Sequence, residues 1–392
     1  MKAIRLAQTC AASLALGSLI ASSLPPQSYV KDLQVEYLTA RALRDGVDVF
    51  TPVSELSARY FPVHTENFPH PNPHPPVLTL ISVPFTLLPF PVVALLWLFL
   101  NFALLLIIGR WLKLSIYASL ELAAWPPIWW LLFIGQWELL ILVLVMQGWR
   151  AAAVGKDSSA GLWLGAAAAL KFYPALLLLP FVVRRRVRVL VSAGTVFVLS
   201  QLAGLIAVGW TQFLRYYTVI LPAVSARYVH MGLNSSPYGA LLRLFGGSSD
   251  VLPLINAPGI VLPTTIAISV LALVVLGKVE PEGALLPLLV ALPASWYYYT
   301  VLALPQIVTL WRSANSKRAT LAAAAAASVV LPLINLVLVP ALRWMQWSGD
   351  KAPPVAGVLA AIQPAGLVAL LLLSVAQMRR RASAHLRSFP DP

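Results

Sequence analysis

The chain is poor in charge. Of its 392 residues only 11% are Asp, Glu, Lys or Arg, with 14 acidic against 28 basic. Soluble domains carry about a quarter of their residues as charges, so a water-soluble globular protein is excluded. A mean hydropathy of +0.80 agrees. Cysteine is almost missing: Cys10 stands alone in an apolar segment and permits no intramolecular disulfide. No repeat with a period of about 20 to 50 residues is visible and the two halves do not look alike, which argues against a transporter built from duplicated halves. A glycine-rich phosphate loop is also lacking, so nothing points to a nucleotide. The formal charge of +14 could suggest a nucleic-acid partner, but Lys and Arg come in short clusters between apolar spans. That is the pattern of cytoplasmic loops, and no nucleic acid is expected.

What the chain does have is long apolar runs. Roughly 20 apolar residues cross a bilayer as a helix, and runs that do not alternate exclude a transmembrane barrel. We therefore expect an all-α, polytopic integral membrane protein, one membrane domain over residues 1–392 with about 10–12 transmembrane helices. The expected order is a first helix over 6–24, a large external loop with short helices over 25–76 and central helices over 76–210. A second external loop over 211–250, C-terminal helices over 251–378 and a cytoplasmic tail over 379–392 follow. A retained first helix is favoured over a cleaved signal peptide, although Ala21 to Ser23 are small enough for cleavage. The clusters Arg184 to Arg186, Lys317 with Arg318, and Arg379 to Arg381 place both termini in the cytoplasm. Prolines 84, 89 and 91 suggest a tight hairpin near Leu88 to Pro91. Ser158 to Val183 reads as one crossing with Lys171 inside an apolar helix, and Ser295 to Tyr299 as an outer break between two short passages.

The first external loop concentrates chemistry. Six of the 14 acidic residues, Asp32, Glu36, Asp45, Asp48, Glu55 and Glu66, lie between Tyr29 and Pro76, with His64, His70 and His74. Asp32 follows the first apolar run closely, and a partly desolvated carboxylate there can act as a general base for a hydroxyl. Equally, it can cap a helix over Leu33 to Arg44 that Gly46 would end. Glu36, one turn later, is the alternative base. Lys171 can bind a departing phosphate or pair with Glu138. Arg215, Arg227 and Arg243 are further anion ligands or solvated surface charges. His70 and His74 have proline on both sides and no acidic ligand at helical spacing, so neither a metal site nor another cofactor is expected. The aromatic groups Trp210, Tyr216, Tyr217, Tyr228 and Trp296 to Tyr299 form either an interfacial belt or a platform for sugar and phosphate.

Taken in order, these motifs resemble a family. Asp32 with Ala40-Arg-Ala-Leu-Arg-Asp-Gly46 is followed by Asn72-Pro-His-Pro-Pro76, then Pro84 and Leu88-Pro89. Gly135-Gln136, Gly161 to Pro174 through Lys171, Asn234-Ser-Ser236 and Ser295-Trp296 complete the set. The chain resembles the polytopic glycosyltransferases of the GT-C superfamily, and most closely glycosyltransferase family 87, which contains polyprenol-phosphate-mannose-dependent α-1,2-mannosyltransferases. The resemblance implies a multi-pass protein of the plasma (inner) membrane with an external site. There a polyprenyl-phosphate sugar, arriving through the bilayer, meets a glycan or glycolipid acceptor. Asp32, with Glu36 as understudy, is the implied base of an inverting transfer. Lys171, Arg215, Arg227, Arg243, His74, Tyr297 and Tyr298 are implied for the donor phosphate, and Gln136, Glu138, Asn234 and Trp296 for the substrates. Glu138, Tyr297 and Tyr298 depart from the family pattern, which more often has an amide or similar residue at the first position and histidine at the others.

Overall fold

The computed structural model describes Gly17 and residues 30–61, 69–231, 234–248, 251–312, 317–333 and 351–387. The expected first helix over 6–24, His64 and Glu66, and residues 334–350 lie outside the described residues. The described residues are predominantly helical, as the apolar runs require, and no β-strand forms among them beyond an isolated bridge between Val251 and Ala352. The first loop holds the short helices expected of it, Lys31–Arg44 and Val53–Tyr60.

Among the described residues, four helices are long and apolar enough to cross a membrane unbroken: Phe90–Trp111, Val187–Val208, Pro258–Lys278 and Pro354–Met378. A fifth candidate is broken, with Pro126–Ile134 and Glu138–Ala153 meeting at 116°. Other apolar stretches are shorter, such as Pro76–Leu87 and Tyr173–Val183. Proline is the main cause, since each one removes a backbone donor and crowds the carbonyl four residues back. Pro174 has this effect on Leu170, where the helix Asp157–Leu170 ends. Lys171 therefore does not sit inside a helix, as the sequence suggested. It is in extended conformation just past a helix end. The second loop also differs from a simple loop: Trp210–Arg215, a π-helical turn Tyr216–Ile220 and Leu221–Val229 make it largely helical.

The chain divides into two compact units, Met1–Arg227 and Tyr228–Pro392. In the first, Lys31–Arg44 is a core element despite its polar composition, burying Leu33, Gln34, Val35, Glu36, Tyr37, Leu38, Thr39, Ala40 and Ala42. It ends as the sequence predicts. Gly46 takes a left-handed φ of +69°, its N–H donates to Leu43, and the Val47 N–H donates to the Ala42 carbonyl at 2.8 Å. This closes the helix in the double-bonded glycine cap, and Val47 packs against the cluster of Val35, Leu38, Ala42, Val53 and Leu56, the kind of apolar contact that accompanies such caps. The hairpin between Val83–Leu87 and Phe90–Trp111 turns at Leu88 and Pro89, as expected, leaving carbonyls without helical partners. The same first-loop helix satisfies them, Tyr37 donating to Leu88 O at 2.9 Å and Arg44 to Thr86 O at 2.7 Å.

In the second unit the side chain of Asn234 holds two loops together. Its Nδ2 donates to the carbonyls of Val229 and Pro293, each at 3.0 Å, and its Oδ1 accepts from the N–H groups of Ser236 and Ser295. Helix Pro354–Arg387 packs against Leu285–Ala291 and Lys317–Leu333 and runs on through Arg379 to Arg381.

Candidate active site

Asp32 occupies the first turn of Lys31–Arg44, where the helix dipole favours a negative charge. The capping role open to it is not taken: Val30 is the cap residue and no side chain caps the helix. The Asp32 carboxylate instead turns toward the break at residues 135–137. Gly135 ends Pro126–Ile134 in left-handed conformation, φ +79°, and a Cβ there would lie 2.3 Å from Val30 Cγ1 and 2.8 Å from Leu33 Cβ. Only glycine lets this turn press against the first-loop helix. The approach brings Gln136 Nε2 to Asp32 Oδ2 at 2.7 Å.

Behind Gln136 lies an ion pair. Lys171 Nζ donates to Gln136 Oε1 at 2.7 Å and to Glu138 Oε1 at 2.5 Å. Glu138 is wholly buried and Lys171 nearly so. Each charge suits its helix end, the carboxylate at the start of Glu138–Ala153 and the ammonium just past the end of Asp157–Leu170. Of the two sequence readings for Lys171, pairing with Glu138 is the one the geometry displays.

Asp32 itself is half-buried, and among the described residues its Oδ1 has no donor. Desolvation pushes its pKa above the usual 3.8, while Lys31, the Gln136 hydrogen bond, Lys171 and His74 work against that rise. Glu36, the alternative base of the sequence reading, has other surroundings. It is fully buried, its Oε1 meets His74 Nδ1, and its Oε2 accepts from Asn72 at 3.1 Å. Asn72 also accepts the His74 backbone N–H at 2.9 Å, a local turn that fixes the ring. The His74 Nε2 has no partner among the described residues. His70 is buried, its pKa lowered first by desolvation and also by Arg227, while the hydrogen bond with Pro71 O and the Asp32 charge raise it. Arg227 is exposed.

The other expected residues have partners of their own. Arg215 pairs with Asp48 at 2.6 Å on the surface. Asn234, Arg243, Trp296, Tyr297 and Tyr298 belong to the second unit. There Arg243 is buried and donates to Asn234 O at 2.6 Å, the Tyr297 hydroxyl donates to the Ser328 carbonyl, and Trp296 meets Tyr228 edge-on at 5.0 Å. Asn234 already uses both amide hydrogens and two acceptor positions on backbone groups, so the structure assigns it to the loop. No cluster of three or more His, Cys, Asp or Glu able to hold a metal occurs among the described residues. The sequence reading gave Asn72 no role in the site beyond its place in a motif, and Tyr216 only the alternatives of interfacial belt or sugar and phosphate platform. Tyr216 is fully buried and donates to Pro73 O at 3.0 Å, pinning the proline-rich run that carries His70 and His74. The available signal for Asn72 was an amide between two prolines, where a side chain must supply hydrogen bonds that the backbone lacks.

No solved structure matches the chain. A curated relative, the polyprenol-phosphate-mannose-dependent alpha-(1-2)-phosphatidylinositol pentamannoside mannosyltransferase of Mycobacterium tuberculosis (strain CDC 1551 / Oshkosh), is 26% identical over 264 residues. The match covers 63% of this chain and 59% of the relative's length. Glycosyltransferase family 87 matches residues 73–292, more than half the sequence and including Gln136, Glu138 and Lys171. The chain belongs to glycosyltransferase family 87.

Proposed function

We propose that the protein is an integral-membrane glycosyltransferase moving a hexose, mannose by analogy with the relative, from a polyprenyl-phosphate donor to a glycan or glycolipid hydroxyl. Transfer inverts the anomeric carbon and takes place on the non-cytoplasmic face of the plasma membrane. Family membership supports the reaction class, and the relative's dependence on polyprenol-phosphate-mannose supports the donor. The observation carrying the reading is Asp32, a half-buried carboxylate with one oxygen held by Gln136 and the other open. The open Oδ1 takes the acceptor proton as the acceptor oxygen bonds to the anomeric carbon. The bond from that carbon to the phosphate oxygen breaks, and its electron pair leaves with the phosphate. His74, through Nε2, and Arg227 supply positive or hydrogen-donating groups for the phosphate. Positive clusters at Arg184 to Arg186 and Arg379 to Arg381 support the sidedness.

The test incubates purified protein with radiolabelled polyprenyl-phosphate sugars and a panel of acceptors. Asp32→Asn should abolish transfer, a loss of about 100-fold or more, while donor binding persists. Full transfer by that variant would end the reading. The buried Lys171–Glu138 pair lends some support to a second reading, a transporter or flippase of a lipid-linked saccharide, because such pathways use ionisable pairs. A transporter would leave label movement across vesicles unaffected by Asp32→Asn and form no new glycosidic bond.

A further inference from the structure

The buried ion pair beneath Asp32 is unexplained by the reaction alone. A pair of this kind contributes little net stability, and Glu138 Oε2 has no donor among the described residues, which makes the arrangement costly. Its partners suggest a purpose. An amide can turn either end toward a neighbour, and a carboxylate needs the N–H end. An ammonium only donates. With Lys171 Nζ 2.7 Å from Gln136, the amide must offer its oxygen to the lysine, which leaves Nε2 for Asp32. Glu138, at 2.5 Å, holds Nζ in place and balances its charge.

We propose that Lys171 and Glu138 are positioning residues that lock the Gln136 amide in one orientation, so that its N–H end faces Asp32 Oδ2 and Oδ1 is directed toward the acceptor. This rests on Asp32 being the base. It gives Lys171 a different role from the phosphate ligand that the sequence suggested. The two charges act on Asp32 in opposite senses, the lysine favouring the carboxylate and the glutamate opposing it. The other charged or titratable groups around Asp32 are Lys31 and Glu36 on its own helix and His70 and His74 from the proline-rich run, with Arg227 beyond His70.

The test reads Asp32 in two independent ways. One is transfer from radiolabelled polyprenyl-phosphate mannose to n-octyl α-D-mannoside as a function of pH. The other is carbodiimide labelling of Asp32, which reports the protonated carboxyl by peptide mass spectrometry without turnover. Lys171→Met should move the acid limb of kcat and the labelling midpoint up by about one pH unit, lower kcat at least about 10-fold, and leave the donor KM unchanged. Glu138→Gln should move both midpoints down. Should Lys171→Met fail to fold because Glu138 is stranded, Lys171→Met with Glu138→Leu removes both charges and should fold yet remain at least about 10-fold slow, because nothing orients Gln136. A raised donor KM without a pH shift, equal pH shifts from the two single variants, or normal kcat in the double variant would each overturn the proposal. If Asp32→Asn transfers normally while the labelling midpoints still move in opposite directions, the base assignment fails and the orientation lock survives. If Asp32→Asn is inactive and the midpoints stay put, only the lock fails.

Discussion

Gly135→Ala separates backbone strain from the closeness of the site. A left-handed alanine costs about 1–2 kcal/mol relative to glycine. At residue 135 the new Cβ would also meet Val30 Cγ1 at 2.3 Å and Leu33 Cβ at 2.8 Å, where carbon atoms normally stand about 3.5–4.0 Å apart. The valine methyl can rotate away. Leu33 Cβ is fixed to the helix backbone, so the turn and the helix must part by about 0.7 Å to reach that normal contact. Such a movement stretches the 2.7 Å bond from Gln136 to Asp32 toward the limit of a hydrogen bond. The expected loss is about 2–4 kcal/mol of stability, and transfer falls about 10- to 100-fold, since sub-ångström to ångström misplacement of a catalytic group is that expensive. Gly46→Ala is the control. Its φ is +69° but nothing lies within 4 Å of its Cβ, so it should show the strain alone, about 1–2 kcal/mol, with transfer near normal. Thermal melting in detergent micelles and the octyl mannoside transfer rate measure both quantities. Equal destabilisation by the two variants, or unimpaired transfer in Gly135→Ala, would refute the idea that this glycine sets the distance between the turn and the base.

Two further outcomes follow from the same geometry. Folded Asp32 holds its proton more tightly than the unfolded chain, so its contribution to stability is full below the ordinary value of 3.8 and is lost as pH rises through the folded value. Asp32→Asn should therefore melt higher than the parent at neutral pH, with the gap closing as the pH falls toward about 4; a gap independent of pH would contradict this. Asn234→Ala removes four hydrogen bonds and leaves buried backbone groups without partners, which should cost at least about 3 kcal/mol and sharply reduce the monodisperse protein recovered by gel filtration; normal recovery would show the clasp to be dispensable.

The fold class was legible because hydropathy and helix length are read from neighbours in sequence, and the hairpin at Leu88 and the cap at Gly46 were legible because proline and glycine act locally. The placement of Asp32 after the first apolar run was visible for the same reason. What pairs with it was not. Gln136 and Lys171 are 104 and 139 positions away, and no periodicity links them to Asp32. Glu36 and His74 were each legible as ionisable groups in an apolar chain, yet their pairing needed the proline-rich run to fold back, which Tyr216 secures from far along the sequence. Lys171 was misplaced within a helix because hydropathy runs straight across Phe172 and Tyr173, and the effect of Pro174 on Leu170 is a backbone matter that composition does not register.

The breaks themselves carry the argument one step further. A backbone in apolar surroundings gives up helical hydrogen bonds only where other protein groups or a polar cavity replace them. Among the described residues of the first unit, the breaks at Leu88 and Pro89, at residues 135–137, and at Lys171 are of this kind. All three are tied to the helix Lys31–Arg44: the first through Tyr37 and Arg44, the second through Asp32, and the third through Gln136 to the same carboxylate. A short polar helix that would be marginal alone is therefore held by the ends of apolar helices, and they in turn are completed by it. Rigidity at Asp32 follows from that mutual dependence. It also explains why a segment with so many polar side chains is among the most deeply buried in the unit. Shifting any one break moves the base, which is why substitutions at Gly135 and Lys171 should be felt in the rate of transfer.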